Sequence, residues 1–280
     1  MKSKRNHKET LNKTPEFAWV FDVDGVVTDP VEKRITKPVI LDFIVKKLKQ
    51  KEPVAFLTGR AMSWMEERVL TPLEEEIKDK SLLDNLYVSA EFGGSLIVYN
   101  KGERQRLENS EITPPQNVVE IATKIASRYA NSMFIDTAKK THFTLEMNDG
   151  VDFDRFKEDQ IRLDAEFEQL LKDCLLTNQF EILSDRIATS IRDKRINKRF
   201  AIKELLKWIS KRGIKPNKYI VFGDNKADLE MGEELADSGL EQDFVFVGEK
   251  DQIELGKYSF PIIITNHQCD TGTAEYLANY

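Results

Sequence analysis

At 280 residues, 40% hydrophobic and 32% charged with both signs interspersed, the chain has the composition of a folded globular protein and not of a disordered one. Its formal charge of −6 offers no electrostatic reason for a nucleic acid or an anionic membrane as partner. The longest apolar runs, such as 17–21 and 260–264, are far too short to cross a bilayer, and two distant cysteines, Cys174 and Cys269, indicate neither a disulfide framework nor a zinc site, so a cytoplasmic protein is expected.

The chain opens on a basic, polar stretch, Lys2, Lys4, Arg5, Lys8 and Lys13, which lacks the apolar segment of a secretory signal and reads as a disordered tail over 1–14. Residues 17–21 are apolar throughout, as in a strand buried on both faces of a parallel sheet, and end in Asp22. A helix is predicted over 39–49, where Ile40, Phe43, Ile44 and Leu48 share a face behind Pro38. A second apolar run, 53–57, ends in Thr58-Gly59-Arg60. Residues 87–99 read as a hairpin turning at Gly93-Gly94, 118–129 and 153–171 as helices, and 141–147 and 186–192 as strands. A further helix over 200–211 carries Ala201, Leu205, Trp208 and Ile209 on one face, and a third apolar run, 219–222, ends in Gly223-Asp224.

Strand and helix alternate as in an open α/β domain, whose ligands bind at the carboxyl ends of the strands, and all three polar clusters fall at that edge. The segment between the second and third runs holds too much structure for a loop. The expected organisation is therefore an α/β parallel-sheet core over 15–105 and 192–280, with an inserted α/β domain over 106–191.

Asp22-Val23-Asp24-Gly25 sets two carboxylates two residues apart before a glycine that lets the chain turn sharply. Alone, it reads as well as a solvated turn as a catalytic pair, because two close carboxylates need something to separate their roles. Asp224 and Asp228, one helical turn apart, bring the strand-end carboxylates to four, a set suited to magnesium with Asp228 in support. Thr58 and Gly59 offer a hydroxyl and a flexible amide for phosphate oxygens, though a plain turn with Arg60 paired to a surface acid accounts for them equally. Lys198 is a candidate for the cation an acidic site needs, with Lys194 and Lys203 as near neighbours. His7, His142 and His267 lack a metal-binding spacing and read as surface or core histidines, Cys174 as packed, and the stripe Phe156, Leu163, Phe167, Leu170 and Leu171 as a helix packing face.

Taken in order, these motifs resemble the haloacid dehalogenase-like phosphatases: Asp22-Val-Asp-Gly-Val-Val-Thr-Asp29, Leu57-Thr-Gly-Arg60, Asn197-Lys198 and Gly223-Asp-Asn-Lys-Ala-Asp228. The place of the insertion resembles the branch with a large α/β cap, subfamily IIB, which includes Cof-like and sucrose- and trehalose-phosphate phosphatases. Val26, Ala227 and Arg199 depart from the commoner residues at their positions without removing a charge. The resemblance implies a Rossmann-like parallel-sheet core and a Mg2+-dependent phosphomonoester hydrolase acting on a small phosphorylated metabolite such as a sugar phosphate. It implies Asp22 as nucleophile, Asp24 as general acid/base, Thr58, Gly59 and Lys198 as phosphate-binding and Arg60 as substrate-binding. The metal would take Asp22, Asp24 through its backbone, Asp224 and Asp228. A sugar phosphomutase on the same fold and a non-catalytic regulatory relative are the alternatives. No nucleic acid or membrane partner is expected, and nothing in the sequence sets the oligomeric state.

Overall fold

A computed structural model describes residues 14–280, so the basic cluster from Lys2 to Lys13 lies outside the described residues. Twelve strands are described: β1 (Phe17–Phe21), β2 (Val54–Leu57), β3 (Leu86–Ala90), β4 (Ser95–Asn100), β5 (Glu103–Glu108), β6 (Met133–Ile135), β7 (Phe143–Met147), β8 (Phe180–Ser184), β9 (Ala188–Asp193), β10 (Lys218–Gly223), β11 (Gln242–Phe246) and β12 (Ile262–Ile264). Eight form one sheet in the order β12-β11-β10-β1-β2-β3-β4-β5, parallel from β12 to β3 and antiparallel through β4 and β5. The other four form an antiparallel sheet, β6-β7-β9-β8.

The unbroken apolar runs follow from burial on both faces. Along β1, Trp19 and Phe21 join one core with the helix Pro38–Lys49, while Ala18 and Val20 join another with the helix Lys198–Lys211. Successive side chains of a strand point to opposite faces, so a strand covered twice has no polar side to show. At the centre of the first core, Phe21 stacks on Phe222 of β10 with ring centroids 4.6 Å apart and planes 18° apart. The antiparallel sheet has its own core, in which Phe156, Leu163 and Phe167 of the helix Phe153–Asp173 meet Phe143, Leu145 and Ile191. A second helix, Gln116–Ala126, adds Val118 and Ala122 to it.

Several elements differ from the sequence reading. The helix expected from residue 200 starts at Lys198, because Asn197 caps it by accepting a hydrogen bond from the Phe200 amide at 2.9 Å. The strands expected from 141 and 186 start later, at Phe143 and Ala188. Strand β5 carries no alternation to read: Glu-Arg-Gln-Arg-Leu-Glu is exposed along its whole length at the sheet edge. No helix among the described residues is long and apolar enough to cross a membrane.

The register places Phe21 beside both Phe222 and Phe56, so β1, β10 and β2 end level with one another. Asp22, Thr58 and Asp224 therefore leave the sheet on one edge. Phe21→Ala should cost about 3–5 kcal/mol of stability, since it empties a large fully buried site between two strands. Denaturant unfolding measures this, and a loss below about 1 kcal/mol would contradict the packing described.

Candidate active site

Asp22 is fixed by the sheet, its amide donating to the Phe222 carbonyl at 3.0 Å. After it the chain folds back, the Val23 carbonyl accepting from the amides of Val27 and Thr28 at 3.0 Å each. The turn needs Gly25, whose φ is +73° and whose added Cβ would lie 2.3 Å from Asp224 Oδ2. The loops after β1 and β10 are thereby pressed together.

Asp228 shapes the second of these loops. Its Oδ2 accepts from the amides of Asp224 and Asn225, both at 3.1 Å, and Asn225 in turn accepts from the Ala227 amide at 2.9 Å. Asp228 is fully buried, and its Oδ1 has no aligned hydrogen-bond donor. The Lys198 ammonium sits 2.9 Å from that oxygen, in contact with Asp22 Oδ1, and donates to the Leu57 carbonyl at 3.0 Å. Of the three lysines the sequence left in contention, the structure brings only Lys198 here: Lys194 donates to the Thr177 carbonyl and Lys203 pairs with Glu234.

Burial, with Asp228 and Asp224 close by, pushes Asp22 above the usual carboxylate range against the pull of Lys198. Burial also works to lower the Lys198 ammonium, but Asp22 and Asp228 outweigh it and hold the group above its ordinary value. Asp224 is pushed up to about 6 by burial and by Asp228.

Thr58 is buried, with its amide on the Ser89 carbonyl at 2.9 Å and its hydroxyl accepting from the Arg60 amide at 3.1 Å. The Arg60 guanidinium turns to Asp24, with Nη2 at 2.8 Å from Oδ1 and Nε at 3.0 Å from Oδ2, and lies 5.2 Å from the Trp64 ring. The Asp24 side chain thus stands apart from the other three carboxylates.

These residues floor a cavity of about 840 Å3 whose far wall belongs to the antiparallel sheet. One face of that sheet is packed; the other presents Glu146 of β7, Leu183 of β8 and Ser190 and Arg192 of β9 to the cavity. Arg192 is held by Glu181 at 2.9 Å, and Glu146 faces Lys139 at 3.9 Å. The sequence reading missed this wall, together with Trp64, Phe92 and His142; alternation along β7 and β9 is the signal that marks its strand residues. Burial lowers His142 to about 4, so its imidazole is neutral at ordinary pH. His267 pairs with Glu275 at the surface.

A sequence model described as haloacid dehalogenase-like hydrolase matches residues 128–236, which include Lys198, Asp224 and Asp228. No curated protein matches. Among solved structures, a haloacid dehalogenase-like hydrolase from Bacteroides thetaiotaomicron is similar with a TM-score of 0.64 and 15% identity, over 95% of this chain and 99% of that one. Aspergillus fumigatus trehalose-6-phosphate phosphatase is similar with a TM-score of 0.59 and 17% identity, over 96% and 94% of the two chains. IMP-bound Plasmodium falciparum IMP-nucleotidase follows with 0.52 and 12%, over 96% of this chain and 70% of that one.

The fold is that of a haloacid dehalogenase-like hydrolase. Within this hydrolase fold, Asp22, Asp224 and Asp228 each offer an oxygen, all within 4.8 Å of one another. Three carboxylates face a single ammonium, Lys198, a deficit of basic groups on this floor. Hard oxygen donors with that deficit fit a divalent cation. Burial raises Asp224 to about 6 and Asp22 further still, so a cation bound there has protons to displace and its affinity falls as the pH falls. Calorimetric Mg2+ titration at pH 7.5 and pH 5.0 should show binding weaker by about tenfold or more at the lower pH. Unchanged affinity would contradict a cation held by these carboxylates.

Proposed function

We propose that the chain is a Mg2+-dependent phosphomonoester hydrolase that takes a small phosphorylated metabolite, a sugar phosphate, through an aspartyl phosphate on Asp22. One observation carries this reading: Asp22, at the carboxyl end of a central parallel strand, is flanked by Lys198 and by two further carboxylates on a shared floor. Similar structures named as a phosphatase and a nucleotidase support it. The antiparallel sheet then acts as the cap, and the expected bounds of 106–191 on a core of 15–105 and 192–280 shift to about 109–193, since β5 runs to Glu108 in the larger sheet and β9 to Asp193 in the smaller one.

The ion would be held by Asp22, Asp224 and Asp228 with the backbone carbonyl of Asp24, and when bound supplies positive charge to the phosphoryl oxygens. Lys198 adds to that charge, and Thr58 and Gly59 hold the remaining oxygens. An Asp22 oxygen attacks phosphorus and the bond to the leaving oxygen breaks, while Asp24, once it has exchanged its pairing with Arg60 for a proton, gives that proton to the leaving oxygen. Asp24, now a carboxylate, takes a proton from water as the water oxygen attacks the same phosphorus and Asp22 is released. Arg60 lies beside Asp24 at the side where the leaving group departs, and so binds substrate there. The cavity wall offers Asp136, Glu146 and Asp185 against Lys139 and Arg192, a balance suited to a neutral polyhydroxyl leaving group and not to a second anion.

Phosphate release with Mg2+ across sugar phosphates, with no activating bisphosphate, tests the proposal, because a mutase returns the group to sugar and releases little. Asp22→Asn should abolish release with the circular dichroism spectrum unchanged; retained turnover would refute the nucleophile. Lys198→Ala should lower kcat by about a hundredfold or more. Only a mild effect would show that charge stabilisation rests elsewhere.

A further inference from the structure

Glu91 follows β3 at the tip of the hairpin and is fully buried. Its carboxylate is crowded with donors: the Lys140 amide reaches Oε1 at 3.0 Å and Oε2 at 2.9 Å, the Thr141 amide and hydroxyl both reach Oε2 at 2.8 Å, and Ser95 Oγ reaches Oε1 at 3.1 Å. Three of those four donor groups belong to the segment leading into β7. The approach is close, since a Cβ on Gly94 would lie 2.0 Å from Thr141 Oγ1.

The backbone here is strained. Glu91 and Phe92 have φ of +50° and +51°, a left-handed conformation that side-chain-bearing residues hold only where their surroundings enforce it. The enforcing contacts run to the phosphate loop: the Glu91 amide donates to the Arg60 carbonyl at 3.0 Å and the Phe92 amide to the Thr58 carbonyl at 2.9 Å. The Phe92 ring covers Gly59, where an added Cβ would lie 2.5 Å from it, and sits 5.8 Å from Lys198 Nζ. On the other side, residues 136–142 bring Asp136, Lys139 and His142 to the cavity wall. One residue therefore ties the phosphate floor to the wall that faces the leaving group.

We propose that Glu91 is a positioning residue that fixes the distance between the phosphate loop and the leaving-group wall, and so sets which leaving groups the site accepts. This rests on the phosphomonoesterase reading above. Substrates whose leaving group reaches Lys139 and His142 depend on Glu91; a short one does not. Glu91→Gln keeps the shape but turns an amide N–H2 towards donors that need an acceptor.

With Mg2+, kcat/KM of Glu91→Gln for the best sugar phosphate should fall about tenfold or more through KM, while acetyl phosphate stays within about twofold. Amide hydrogen exchange at Lys140 and Thr141 should speed up by about tenfold or more, with the amides of the helix Lys198–Lys211 unchanged. Thr141→Val, which removes one donor at constant shape, should move both readouts the same way by less, and it carries the test if Glu91→Gln does not fold. An equal loss on both substrates would make Glu91 merely structural and overturn the proposal, as would unchanged exchange. If the unaltered protein hydrolyses neither ester, the phosphatase reading falls and exchange alone decides the role of Glu91.

Discussion

A buried ammonium between two buried carboxylates is the constraint around which the rest is arranged. None of Lys198, Asp22 and Asp228 could be ionised alone in that position, because removing a single charge from water costs more than any fold of this size can spare. Together they are tolerable, and the Leu57 carbonyl completes the lysine's coordination. That mutual need explains the topology at the site. Strands β1 and β2, the loop after β10 and the first turn of the helix Lys198–Lys211 must all end at one point for the charges to meet. Acidic groups outnumber the one ammonium on this floor, which is the ground for the cation in the proposed mechanism.

What the sequence revealed depended on how many faces of an element are covered. Strands β1, β2 and β10 announce themselves because both faces lie against helices and every residue must be apolar. The strand-end carboxylates are legible for a related reason: acidic residues directly after such runs stand at a known edge of a known kind of sheet. Lys198 was not separable from Lys194 and Lys203 by composition. The signal lay one residue earlier, in Asn197, whose capping role fixes the helix start and hence which lysine faces inward.

The far wall of the cavity was hidden by a different physics. Its strands are covered on one face only, and the polar residues on the other look like ordinary solvent-facing alternation until the larger sheet is set opposite them. Glu91 was concealed more completely, since a single acid at a hairpin tip has no pattern in the sequence. Its importance comes from contacts fifty residues away, at Lys140 and Thr141, and from a backbone conformation that only the folded chain reveals. His142 likewise owes its neutral state to burial beneath that segment.

The larger sheet has one margin at β5, whose six residues are all exposed and include four of charge. Free strand margins recruit other chains through their unpaired amides and carbonyls, and β5 discourages this with Glu103, Arg104, Arg106 and Glu108, whose desolvation any incoming strand would have to overcome. Arg104 is further tethered to Glu66 and Glu74, which keeps its guanidinium on the protein's own flank. The margin that gave the least away as sequence is thus one whose charges oppose pairing with a further strand.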